Sequence, residues 1–152
     1  LFEDKNISIC GGWYGLLAAF IFSYAIPKRI VSIDINPVCE DIANAINEFQ
    51  YSQDKFIALT KDMAVSEYIS CDTIINTSFE HLENVDMWLN RLREFPGKTI
   101  IVQSTNNRKP ADHTNCCDSV DELIDRMNFN EKIYAGTMEL PHYKRFMVIG
   151  KY

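Results

Sequence analysis

The residues best suited to chemistry in this chain are a cluster of glycines, one carboxylate and two histidines. Gly11, Gly12 and Gly15 follow directly on the apolar run Ile7–Cys10, and Trp13 and Tyr14 stand between them. Asp34 ends a second apolar run about 20 residues after the turn. Glycines let a backbone come close to a ligand, and an acid at that distance accepts hydrogen bonds from a ribose diol, so the set can form a nucleotide cradle. Without a ligand, the same residues make a tight strand–helix connection, with Asp34 a favourable carboxylate at the start of the next helix. His81 follows Glu80, and an imidazole beside a carboxylate suits proton transfer near neutral pH. Those two residues could equally shape the entry into the following helix. His113 lies in the polar loop Ser104–Cys117 and could serve as a general base on an O or N nucleophile, with Arg108 and Lys109 suited to an anionic group. The competing reading is a solvated loop in which Asp112 and Asn115 form turns. His142, beside Pro141, reads as a turn residue.

These residues must be positioned by alternating strands and helices. Ile7–Cys10 and Arg29–Asp34 read as strands, with an apolar helix over Tyr14–Tyr24 between them. Asn36-Pro37 predicts the start of a second helix, Asn36 as its cap and Pro37 at its first position, with Val38, Ile42, Ala45 and Ile46 along one face. Lys55–Leu59 and Thr73–Asn76 follow as strands. Val85, Trp88, Leu89 and Leu92 give Asn84–Glu94 an amphipathic helical spacing, which Pro96-Gly97 stops. Lys98–Gln103 is the fifth strand. After the polar loop, Ser119 with Glu122 three residues on marks a helix start, and the helix runs to Met127. Lys132–Leu140 and Tyr143–Lys151 close the chain as two strands joined at Pro141-His142. Strands that alternate with helices run parallel, whereas a closing hairpin can only be antiparallel. The expected fold is α/β: a doubly wound, mostly parallel seven-stranded sheet with helices on both faces and a C-terminal antiparallel hairpin.

Length and composition narrow the field. A chain of 152 residues fits one domain with a core that needs no staples. Its net charge of −6, without a run of Lys or Arg, makes nucleic acid an unlikely partner. No apolar run reaches the roughly 18 residues of a membrane span; Leu16–Ile26 is too short and carries Ser23 and Tyr24. Cys10, Cys39, Cys71, Cys116 and Cys117 are odd in number and lack CxxC spacing, so neither a disulfide framework nor a zinc site is indicated. Buried thiols in a reducing, cytoplasmic setting are expected. The chain begins with Leu1 and shows no signal-peptide pattern, so further residues are expected upstream.

The segment Cys71-Asp72-Thr73-Ile74-Ile75-Asn76-Thr77-Ser78-Phe79-Glu80-His81-Leu82, the helix through Trp88 and Leu92, Pro96-Gly97 and the strand Lys98–Val102 come in a telling order. With the glycine turn and the closing hairpin, they resemble the class I S-adenosylmethionine-dependent methyltransferases. The resemblance implies that Gly11, Gly12 and Gly15, with Trp13 and Tyr14, surround the methionine portion of S-adenosylmethionine. It implies that Asp34 holds the ribose hydroxyls, Ile35 packs on the adenine and Asp62 contacts the adenine amino group. Asn76 and Thr77 would face cofactor and substrate. Asp62 has a competing role as a surface or capping residue. Ile9 stands where the family usually has an acid, and Trp13 where it has its central glycine; the indole would pack over the ligand or fill the space of the methionyl tail.

The activity implied is transfer of a methyl group to an O, N or C nucleophile of a small-molecule substrate, with His113 or His81 as base and no metal required. In this fold class an N-terminal segment often covers the pocket, and little precedes the first strand here. Access from an open face, or a second copy or partner subunit completing the site, would compensate. Two other classes use the same features. A nicotinamide-dependent oxidoreductase domain would need the glycine turn and Asp34 equally. A non-catalytic partner or sensor with the same fold would account for Ile9 and Trp13.

Overall fold

The computed structural model describes residues 1–152, which divide into two compact units, Leu1–Ile75 and Asn76–Tyr152. The first contains β1 (Asn6–Cys10), α1 (Leu16–Tyr24), β2 (Arg29–Asp34), α2 (Val38–Ile46), the single-turn α3 (Glu48–Tyr51), β3 (Phe56–Thr60) and all of β4 (Thr73–Asn76) but its last residue. The second holds α4 (Val85–Arg93), β5 (Thr99–Thr105), α5 (Val120–Met127), β6 (Glu131–Glu139) and β7 (Lys144–Lys151). The seven strands are ordered β3-β2-β1-β4-β5-β7-β6. β1 pairs parallel with β2 and β2 with β3, whereas β7 runs antiparallel to both β5 and β6. This is the mixed sheet that the sequence predicts. No helix is long and apolar enough to cross a membrane.

In the first unit, Ile7, Ile9, Ile30, Phe56 and Ala58 form a buried strand face. α2 does more than cover it. One turn apart on this helix, Glu40 accepts Thr60 N–H at 2.6 Å and Asn44 accepts Ala58 N–H at 2.8 Å, so side chains satisfy the outer edge of β3. Those bonds from Thr60 hold the Glu40 carboxyl below its ordinary range. Asn36 Oδ1 accepts Val38 N–H at 3.1 Å, the capping role expected before Pro37. α1 begins at Leu16 instead of Tyr14, because Trp13 (φ 46°) and Gly15 (φ 75°) are left-handed and cannot continue a helix.

The β3–β4 connection contains a 3-10 turn over Met63–Val65 and no α-helix. Ser8, Val31, Ile33 and Leu59 from the strands, with Val65 and Ser66 from the connection, line a cavity of about 710 Å³.

In the second unit, Trp88 and Leu92 of α4, Ile100 and Val102 of β5, Leu123 and Met127 of α5, and Phe146 and Val148 of β7 are fully buried or nearly so. Trp88 is therefore packing, as its helical spacing predicts. Ser119 caps α5 by accepting Glu122 N–H at 3.1 Å, and Glu122 returns the bond to Asp118 N–H at 2.7 Å. β5 runs two residues beyond its expected end, because Ser104 and Thr105 pair with Phe146 and Arg145 of β7. All five cysteines are buried, and none is in a disulfide.

Candidate functional site

The glycine turn is a left-handed bend fastened to the end of β2. Gly12 N–H donates to the Ile33 carbonyl at 3.1 Å, and Trp13 N–H donates to Asp34 Oδ2 at 2.9 Å. Asp34 Oδ1 accepts Asn36 N–H at 2.9 Å, so one carboxylate ties the turn to the start of α2. Burial, with Asp34 alongside and hydrogen-bonded to the thiol, pushes Cys39 up. Two glycines are dictated by space. A Cβ on Gly12 would stand 1.9 Å from Ser32 Oγ. At Gly15, with its positive φ, a Cβ would meet Asn47 Nδ2 at 2.7 Å and Ala43 Cα at 3.2 Å.

The indole of Trp13 points outward, 57% exposed, and stacks on Tyr14 with ring centroids 4.2 Å apart. Ile35 follows Asp34 with 72% of its surface exposed, an uncovered apolar side chain beside the carboxylate. Asp62 accepts Ala64 N–H at 2.8 Å, the capping role, and borders the sheet cavity. Ile9, at the family's acidic position, is buried in the core.

In the second unit the structure gathers residues that are far apart in the chain. Asn76 is fully buried and its Oδ1 accepts Ser78 N–H at 2.8 Å. The Thr77 carbonyl accepts from Arg145 Nη2 at 2.6 Å. Arg145 also donates Nη1 to Glu80 Oε1 at 2.7 Å and Nη2 to Gln103 Oε1 at 3.3 Å. Glu80, read from sequence as an acid–base or turn residue, is only 2% exposed, and its second oxygen, Oε2, has no hydrogen-bond partner.

His81 and His113 meet edge to face, with ring centroids 4.6 Å apart. His81 Nδ1 lies 3.0 Å from Asp112 Oδ2, and His113 Nδ1 lies 2.6 Å from the Asn107 carbonyl oxygen.

The loop carrying His113 is fixed along its length. Asn107 N–H donates to Thr105 Oγ1 at 3.1 Å, Asn115 N–H to the Glu80 carbonyl at 3.0 Å, and Cys117 N–H to the Thr105 carbonyl at 3.1 Å. Asn115 Nδ2 also donates to the Leu82 carbonyl, and Arg108 pairs with Asp118 at 2.8 Å. Arg108 is thus engaged by an acid of its own loop. Burial is the main cause that raises the thiols of both Cys116 and Cys117.

Glu80, Arg145, Asp112 and Asn107 were not singled out from sequence as one site. The available signal was Glu80 itself, a charge between the apolar Phe79 and the segment continuing into Leu82.

No protein-family model matches the chain, and no curated protein sequence does. Solved structures do match. The MccD protein superposes with a TM-score of 0.79 at 9% identity, over 99% of this chain and 91% of that one. A SAM-dependent methyltransferase from Aquifex aeolicus gives 0.72 at 15% identity, over 99% and 84%. The [4+2]-cyclase SpnF gives 0.75 at 17%, over 90% of this chain. This chain spans only 56% of the SpnF chain. The fold is therefore that of the class I S-adenosylmethionine-dependent methyltransferases.

Proposed function

We propose that the protein binds S-adenosylmethionine at the Gly11–Gly15 turn and transfers its methyl group to an O, N or C nucleophile of a small molecule. The observation that carries this reading is the carboxylate of Asp34, hydrogen-bonded to the turn through Trp13 N–H at 2.9 Å with the exposed Ile35 beside it. The residues fit the cofactor. A carboxylate offers about four lone-pair sites. Two backbone N–H groups and the Cys39 thiol occupy three, so a ribose diol takes the remaining one and displaces the thiol, the weakest donor of the set. Ile35 offers an open apolar surface to an adenine. Gly11, Gly12 and Gly15, with Trp13 and Tyr14, take the methionine portion, and Asp62 takes the adenine amino group. Asn76 and Thr77 are further cofactor contacts by the same resemblance.

When bound, the cofactor supplies a sulfonium methyl already activated for in-line displacement. The chain's contribution is alignment and exclusion of competing nucleophiles. For an acceptor that must lose a proton, His113 or His81 receives it. Five cysteines outside any disulfide suit a reducing cytoplasmic setting, and a second copy or partner subunit is the natural means of covering the site.

Calorimetric titration with S-adenosylmethionine, S-adenosylhomocysteine and NAD tests the reading. Saturable binding of the first two is expected, and Asp34→Ala should weaken it by about 1.5–3 kcal/mol, the worth of hydrogen bonds to a charged group. Binding of NAD alone would overturn the proposal in favour of an oxidoreductase domain. Binding of none of the three would point to a partner protein. The acceptor is then sought by screening metabolite pools for acceptor-dependent release of S-adenosylhomocysteine.

A further inference from the structure

Glu80, His81 and His113 each present a ligand atom within 4.8 Å of those of the other two. Three features of this cluster bear on a ligand. Glu80 is 2% exposed, yet one of its carboxylate oxygens, Oε2, has no hydrogen-bond partner. Arg145 neutralises the carboxylate through Oε1, but a buried second oxygen left without any donor is itself costly and rare in native structures. Secondly, His113 Nδ1 lies 2.6 Å from a backbone carbonyl, an acceptor only, so this nitrogen carries the ring proton and Nε2 holds the lone pair. His81 Nδ1 donates in the same way to the Asp112 carboxylate at 3.0 Å. An imidazole anchored at Nδ1 by a carboxylate or a backbone carbonyl, with Nε2 left bare, is the usual outer arrangement of a metal-ligating histidine. Thirdly, Arg145 holds Glu80 through Oε1, which fixes the carboxylate and leaves Oε2 as its remaining donor.

We propose that Glu80 Oε2, His81 Nε2 and His113 Nε2 bind one divalent first-row transition-metal ion, of the class of Zn²⁺ or Fe²⁺. Two imidazoles and one carboxylate match these ions, whereas Ca²⁺ and Mg²⁺ prefer an all-oxygen shell. Three protein donors leave further positions open to water or to an oxygen or nitrogen ligand. Donors about 2.0–2.1 Å from a common ion stand roughly 3.4 Å apart, so atoms within 4.8 Å of one another must draw together by up to about 1.4 Å. His81, 41% exposed, has the freedom to turn inward. With the ion bound the two imidazoles are ligands, and the base role given to them above belongs to the ion-free protein. The proposal uses none of the glycine turn, so it stands or falls separately from cofactor binding.

The test uses the untagged full chain, stripped with a chelator and dialysed, then titrated with Zn²⁺ by calorimetry and with Co²⁺ by visible absorption. One ion per chain is expected, with Co²⁺ d–d bands and no thiolate charge-transfer band. His113→Ala and Glu80→Gln should each weaken binding at least about tenfold, and Asp112→Asn by about 10–100-fold through the lost anchor of His81. Circular dichroism of each variant establishes that it is folded. Glu80→Gln keeps an oxygen for Arg145, so it serves if His113→Ala fails to fold. Absence of saturable binding would overturn the proposal. So would unchanged affinity in the folded variants, or a thiolate band lost in Cys116→Ser, which would give the ion to the cysteines. S-adenosylmethionine titrated into the same samples reports on the other site.

Discussion

Replacing Arg145 by Leu should expose how much of the second unit depends on one buried ion pair. The guanidinium makes bonds to Glu80 Oε1 at 2.7 Å, the Thr77 carbonyl at 2.6 Å and Gln103 Oε1 at 3.3 Å. Leucine is similar in bulk to the arginine stem but supplies none of these donors. Glu80, 2% exposed and already without a partner on Oε2, would then be a buried carboxylate without a partner on either oxygen. Breaking a buried pair by removing one member costs about 3–5 kcal/mol. The Arg145 side chain is 25% exposed, so water can reach the vacated space, and the lower end, about 3 kcal/mol, is the expected loss. At about 2–4 °C per kcal/mol for a domain of this size, Tm should fall by roughly 6–12 °C. Urea unfolding should show a lower midpoint at unchanged slope. Removing both partners, in Glu80→Leu with Arg145→Leu, should recover most of the loss, because no buried charge is then stranded. A single variant that loses less than about 1 kcal/mol, or a double variant no better than the single, would refute the reasoning.

At Gly15, substitution by Ala should cost about 2–4 kcal/mol, combining a left-handed φ of 75° with a Cβ 2.7 Å from Asn47 Nδ2. A thermal melt matching the parent protein would show that the turn can shift to accommodate a methyl group. Tyr152 donates its hydroxyl to the Met127 carbonyl at 2.6 Å, and burial pushes its pKa up to about 12. The folded state thus keeps this proton more tightly than the unfolded chain, whose tyrosines ionise near pH 10. Its contribution is full below about pH 10 and is lost as pH rises through about 12. Tyr152→Phe should remove a phenolate absorbance step near pH 12 and make stability less sensitive to alkali over that window. A step near pH 10 that disappears in Tyr152→Phe would contradict this.

The signals that read correctly from sequence are local ones. β2 and β4 begin and end where the apolar runs do, and Ser119 caps α5 because a hydroxyl and the N–H three residues on are within reach in any helix start. Asn36 likewise caps α2 from two residues away. The site in the second unit depends on sequence-distant meetings. Glu80 and Arg145 are 65 positions apart, and nothing in spacing foretells a pair that only strand register creates. His81 and His113 were each visible as titratable groups, but their edge-to-face contact depends on how the long loop after β5 folds back.

That loop after β5 has a kinetic consequence. Its backbone is fastened at Asn107, Asn115 and Cys117, and His113 is clamped through Nδ1, although hardly any of it is regular secondary structure. The conformational entropy of ordering it is therefore spent during folding, before any ligand arrives. Capture of a ligand by His81 and His113 then needs a side-chain rotation, which takes nanoseconds, and no loop closure on the microsecond-to-millisecond scale. Amides at 107, 115 and 117 should exchange with deuterated solvent as slowly as those of the flanking strand. Association at this site should be paced by diffusion and the shedding of water.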